Sequence, residues 1–112
     1  MRHCLALDLK DDPESIARYE AHHARIWPEI AAHLRGQGVL GMEIWRIGNR
    51  LTMVMETDDA VFDAARMAAA SLADPKVVAW ETLMDTFQQP TPWSRPGTKW
   101  APMARIFDLA GQ

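Results

Sequence analysis

Two apolar runs, "VLGMEIWRI" from Val39 and "RLTMVMET" from Arg50, flank the pair Gly48-Asn49. No other stretch limits the fold as tightly. Both runs favour β structure, and a Gly-Asn pair between them is turn chemistry for an antiparallel hairpin. A two-stranded hairpin is marginal alone, so it must pair with further strands or pack against helices. The alternating "HCLALDL" from His3 offers a strand before it, and "MARIFDL" from Met103 offers a closing strand after it.

Helical signals fill the gaps. In "DDPES", Asp12 is suited to cap a helix and Pro13 to its first position, and that helix runs toward Gly36 and Gly38. The Ala-rich "DAVFDAARMAAASLA" and then "DPKVVAWETLMDTFQ" read as one helical region split by a second Asp-Pro cap. "QQPTPWSRPGTKW" is a proline-rich loop. The order β-α-β-β-α-β, with a split second helix, predicts a ferredoxin-like α+β fold, an antiparallel sheet with helices on one face. One domain spans residues 1–112. In "LTMVM" both faces of the strand are apolar, whereas a sheet with one wet face alternates. A second copy of the same sheet is the simplest cover, giving a homodimer of the α+β barrel type. A monomer with the loop before Trp100 folded underneath is the alternative.

Composition narrows the partners. A formal charge of −3 with no basic cluster lacks the footprint of a nucleic-acid binder. The start, "MRHCLALDLKDD", is interrupted by Asp8 and reads as neither a signal peptide nor a membrane span, which leads us to expect a cytoplasmic protein. The single cysteine, Cys4, forms no internal disulfide and is expected to pack as a small apolar strand residue.

The first helix carries the most suggestive chemistry, in "YEAHHARIWPE" from Tyr19. At about 100° per residue, Ile16, Ile26, Trp27, Ile30 and Leu34 form one apolar stripe. Tyr19 and His23 fall inside that stripe as an i, i+4 pair, while His22 and His33 lie at or past its edge. Adjacent histidines point apart on a helix, and His22 and His33 are too distant for one ion, so no metal site is expected. A buried histidine needs a partner, and Tyr19 or a backbone carbonyl would satisfy His23 without any ligand. Pro28 cannot donate to the carbonyl of Ala24, so the helix must kink or restart beside His23. That bend either wraps the core or opens a pocket.

Trp80, Met84 and Phe87 follow helical spacing with Glu81 and Asp85 one step round, either a solvated acidic edge or an aromatic platform flanked by carboxylates. On the second strand Met42 and Ile44 share one face and Glu43 and Trp45 the other, and whichever set faces the helices lines the pocket, a choice the sequence leaves open. Rings, carboxylates and a histidine together suit a small polyhydroxylated ligand, whose CH-rich faces stack and whose hydroxyls take hydrogen bonds.

The run Tyr19-x-x-x-His23-x-x-Ile26-Trp27-Pro28-Glu29, with Trp80 before Met84 and Asp85 and a closing "ARIFDL", resembles the L-rhamnose mutarotase family over nearly the whole chain. The resemblance implies a dimeric ferredoxin-like protein that interconverts the anomers of a 6-deoxyhexose without a cofactor. It implies that His23 is the catalytic proton donor, that Tyr19 binds substrate, and that Trp80 matches one member of a Trp-Trp pair. Met42 stands in place of the family's second-strand tyrosine, and Glu81 in place of its second tryptophan. These departures bring L-fucose in beside L-rhamnose, with Glu43 and Glu81 as candidates for hydroxyl recognition.

Mutarotation takes a proton from the anomeric hydroxyl and delivers one to the ring oxygen, so that the ring opens to an aldehyde and recloses. Histidine suits both transfers near neutral pH. On this expectation His23 protonates the ring oxygen while Glu43, Glu81 or a water serves the anomeric hydroxyl. The partner subunit is a possible source of further residues through the loop from Trp93 to Trp100. A small monooxygenase of the same barrel type, acting on an aromatic or quinone-like substrate, and a non-catalytic ligand-binding dimer are the other classes this architecture admits.

Overall fold

A computed structural model describes residues 1–112. Strands β1 (Arg2–Leu9), β2 (Val39–Ile47) and β3 (Arg50–Thr57) form the body of one antiparallel sheet in the order β2-β3-β1. Two short strands, β4 (Gln88–Gln89) and β5 (Ala101–Pro102), share the remaining edge of β1. The hairpin register follows from its turn, where Gly48 takes φ 56°, a left-handed conformation that glycine adopts without strain. Met42 sits opposite Met55 and Ile44 opposite Met53.

The helical connection after β1 is two helices, α1 (Pro13–Ala24) and α2 (Pro28–Gly36), so of the kink or restart expected at Pro28 the chain takes the restart. Asp12 caps α1 by accepting from the Ser15 amide at 3.0 Å. Pro28 has no amide hydrogen for Ala24, so α1 stops, Arg25 to Trp27 leave the helical path, and Pro28 becomes the first residue of α2. Beyond α2, Gly38 has φ 96°, and a Cβ there would stand 2.9 Å from the Phe62 amide nitrogen. Helices α3 (Ala64–Ala73) and α4 (Pro75–Asp85) are capped by Asp63 and Asp74 and meet at Asp74, as the second Asp-Pro signal predicts.

The helices cover one face of the sheet. Leu7, Leu9 and Leu51 are almost completely buried there, and Leu9 and Leu51 pack with Tyr19, Ile30, Val77, Trp80, Met84 and Phe87. Val39, Met53 and Met55 form a second cluster toward α3. On the other face Trp45 and Ile47 are exposed, and the buried Asp8 pairs with Arg50 at 2.9 Å beneath the Trp93 ring.

The expected closing strand over "MARIFDL" is corrected. Pairing with β1 is confined to Ala101 and Pro102 plus one bond from the Met103 amide to the Cys4 carbonyl, and the chain then leaves the sheet. β4 lies opposite Asp8 and Leu9 and β5 opposite Leu5 and Ala6, so the edge of β1 before Cys4 stays unpaired and residues 104–108 run away from it. No helix is long and apolar enough to cross a membrane.

Candidate active site

Between the helices and the sheet lies a cavity of about 280 Å³, walled mostly by apolar side chains. Ligand pockets run from roughly 300 to 1,000 Å³, so this one suits a small ligand. Its polar lining consists of Tyr19, His23, His33, Ser71, Glu81 and Gln88.

His23 stands in the last turn of α1, where the break before Pro28 leaves room beside the ring. Its Nδ1 donates to the Tyr19 carbonyl at 2.9 Å, the i−4 bond that the pairing on one helix face makes available. A carbonyl only accepts, so Nδ1 carries the hydrogen and Nε2 is left with a lone pair in the neutral ring. The ring lies 4.2 Å from the Tyr19 ring centroid and meets the edge of Trp80 at 5.6 Å. Burial lowers the His23 pKa below its ordinary value, only partly countered by the Tyr19 carbonyl, and His22 lowers it further. The resting imidazole is therefore neutral at pH 7.

Tyr19 is only 3% exposed, and burial pushes its phenol up to about 12, partly offset by the neighbouring Gln88 carboxamide and reinforced by Glu81. The hydroxyl stays protonated and able to donate. Trp80 makes edge contacts with His23 and, at 5.1 Å, with Trp27. Glu81 is bound by Lys99, which also reaches Asp85 at 2.7 Å. Burial works against the Lys99 charge, but hydrogen bonds to these two carboxylates outweigh it and raise its pKa. This pairing ties the loop before β5 to α4 and sets Trp100 into the cavity wall.

Of the residues singled out from the sequence, Tyr19, His23, Met42, Trp80 and Glu81 line this one cavity. Glu43 does not. Strand alternation turns it, with Trp45, to the opposite face, where it is exposed in a shallow groove beside Arg2 and Glu56. The part offered to Glu43 in hydroxyl recognition or proton relay is thereby withdrawn for this cavity. Three polar lining residues went unassigned. His33 lay at the edge of the helical stripe, Ser71 in an Ala-rich helix, and Gln88 in what read as the end of a helix. Gln88 Oε1 is buried with no hydrogen-bond partner. Its location carried no sequence signal. No group of three or more His, Cys, Asp or Glu side chains is arranged to hold a metal ion.

Fold and cavity together define a ferredoxin-like α+β protein with a largely apolar site for one small ligand, lined by Tyr19, Trp80 and Trp100 and served by an inward histidine. A model of the L-rhamnose mutarotase family matches residues 2–109. The chain belongs to the L-rhamnose mutarotase family and is a sugar mutarotase, an isomerase. It is 44% identical over 111 residues to an L-fucose mutarotase of Xanthomonas campestris pv. campestris, covering 97% of this chain and 88% of that one. A crystal structure of an L-rhamnose mutarotase from Formosa agariphila superposes with a TM-score of 0.70 at 20% identity, covering 97% of this chain and 98% of that one. The tetracenomycin F2 cyclase of Streptomyces glaucescens, a type II polyketide cyclase, has a TM-score of 0.57 at 15% identity, covering 96% and 97%. At such identities the two structures speak for the fold alone.

Proposed function

We propose that this protein interconverts the α and β anomers of a 6-deoxyhexose, L-fucose ahead of L-rhamnose, through acid–base chemistry at His23. The observation that carries the proposal is the His23 ring, held by its Nδ1 hydrogen bond with Nε2 unsatisfied, in the wall of the cavity between helices and sheet. The preference for L-fucose rests on the 44% identical relative of that name and on Met42 and Glu81 among the lining residues.

The neutral resting ring alters the order of transfers. Before His23 can protonate the ring oxygen it must take a proton, and the anomeric hydroxyl supplies one. The two oxygens are bonded to the same carbon, close enough for one nitrogen to serve both. Nε2 removes the hydroxyl proton as the C1–O5 bond breaks, C1 becomes the aldehyde carbon, and the imidazolium returns the proton to O5. The aldehyde turns about C1–C2, and the same steps in reverse close the ring on its other face. Trp80 stacks on the sugar, the Tyr19 phenol donates to it, and Glu81, held by Lys99, accepts from a hydroxyl. The chemistry calls on no metal or cofactor.

We infer also that the protein acts as a homodimer joined through the outer sheet face. An unpaired Cys4 agrees with work in a reducing compartment such as the cytoplasm. Saturation-transfer NMR between the anomers of L-fucose, L-rhamnose and D-glucose tests the activity. Faster exchange is expected for the deoxysugars and most for L-fucose. Exchange at the uncatalysed rate for both would refute the assignment.

A further inference from the structure

We infer that His33, fixed in one tautomer by Ser71, is the residue that reads the 4-hydroxyl of the sugar and so sets L-fucose against L-rhamnose. The inference deepens the sugar-binding role proposed for the cavity and rests on it. His33 is in the last turn of α2 and Ser71 near the end of α3, and both line the cavity. The Ser71 Oγ donates to the Met67 carbonyl at 2.8 Å. A hydroxyl has one hydrogen, and that bond uses it. The contact of 3.0 Å between His33 Nε2 and Ser71 Oγ must then run from the ring to the hydroxyl, so Nε2 carries the hydrogen. In the neutral ring Nδ1 is consequently an acceptor, and no protein group donates to it.

Position gives this acceptor its meaning. His23, Tyr19 and Trp80 stand at the side of the cavity formed by α1 and α4, whereas His33, Ser71 and Met67 stand at the side formed by α2 and α3. With the anomeric carbon at His23, the ring carbon across from it is C4, whose hydroxyl reaches toward α2 and α3. L-Fucose and L-rhamnose differ in configuration at C2 and C4, and the 4-hydroxyl is axial in the former and equatorial in the latter. Beside Met67 and a Ser71 hydroxyl whose hydrogen is already used, this fixed acceptor distinguishes the two. A site built to accept from one hydroxyl discriminates against a ligand that leaves it unpaired.

The test compares wild-type protein, His33→Leu and Ser71→Ala with three sugars, L-fucose, L-rhamnose and 4-deoxy-4-fluoro-L-fucose, which keeps the axial substituent and loses the donor. Anomer exchange gives KM and kcat, and imidazole nitrogen NMR reports the His33 tautomer. Wild type should show Nδ1 unprotonated, shift it on binding L-fucose, and bind the fluoro sugar about three- to tenfold more weakly. His33→Leu should raise KM for L-fucose by a similar factor with kcat within about threefold, and should erase the difference between L-fucose and the fluoro sugar. Ser71→Ala, which leaves the ring in place, should mix the tautomers and give an intermediate KM. An equal penalty for the fluoro sugar in wild type and His33→Leu, or a thermal destabilisation with unchanged KM ratios, overturns the inference and leaves His33–Ser71 a strut between helices. Exchange without any shift at His33 also overturns it. L-Fucose shifting His33 with no catalysis of exchange would instead overturn the mutarotase assignment alone.

Discussion

His23 owes its properties to three neighbours: the Tyr19 carbonyl that fixes its tautomer, the Trp80 edge, and the apolar wall that lowers its pKa. Replacing it with Gln should cut anomer exchange about 10²- to 10⁴-fold while sugar still binds, the range typical of a positioned proton-transfer group. Exchange left unchanged would remove His23 from the chemistry. Because the folded pKa is depressed, the acidic limb of kcat/KM should fall below the ordinary histidine value of about 6.5, and a limb at or above it would contradict the burial argument. The same shift acts on stability. The unfolded chain takes up a proton first, so the contribution of His23 is intact above about 6.5 and is lost as pH falls from there through the lower folded value. At this scale the sequence was readable where helical spacing decides direction, as for Tyr19, His23 and Trp80. It was unreadable at Glu43, because strand alternation says that Met42 and Glu43 face opposite ways without saying which way is inward.

Chain breaks and caps decide where the elements place these residues. The break at Pro28 was legible because a proline must forfeit the bond to Ala24, but whether the helix would bend or restart depends on Trp27, whose extended backbone begins α2 anew. The closing strand was misread because "MARIFDL" has strand composition, while composition does not say how far the chain stays beside β1, and pairing ends at Met103. Gly36 and Gly38, two residues apart, give a controlled comparison. At Gly38 an alanine meets both a left-handed φ of 96° and the Phe62 backbone, so Gly38→Ala should cost more than about 1–2 kcal/mol. Gly36 is helical with nothing within 4 Å of a new Cβ, and Gly36→Ala should be neutral or stabilise by up to about 1 kcal/mol. Urea denaturation midpoints at constant m check the pair, and similar shifts for both would show that backbone conformation does not end α2 as described.

The molecule as a whole is less compact than its length requires. Its radius of gyration is 14.6 Å, against about 13 Å for a compact domain of this size. The excess matches an extended C-terminal stretch in which Ile106 is 96% exposed and Phe107 and Leu109 are exposed with it. Trp45 and Ile47 project from the uncovered sheet face. Apolar groups left in water on one face and one tail amount to a surface that a second copy would bury at about 25 cal/mol per Å². "LTMVM" gave the first sign of this through its two apolar faces, although Thr52 and Val54 alone could not say what covers them. If two sheets pack back to back, Trp45→Glu places a charge in the joint and should convert a dimer into a monomer by sedimentation equilibrium, with the far-UV spectrum unchanged. Phe107→Asp should weaken the same association if the tail straps the partner, and should leave it untouched if the sheets alone hold the pair. A wild-type protein that sediments as a monomer at micromolar concentration would refute the joint itself, and the apolar tail would then need another partner.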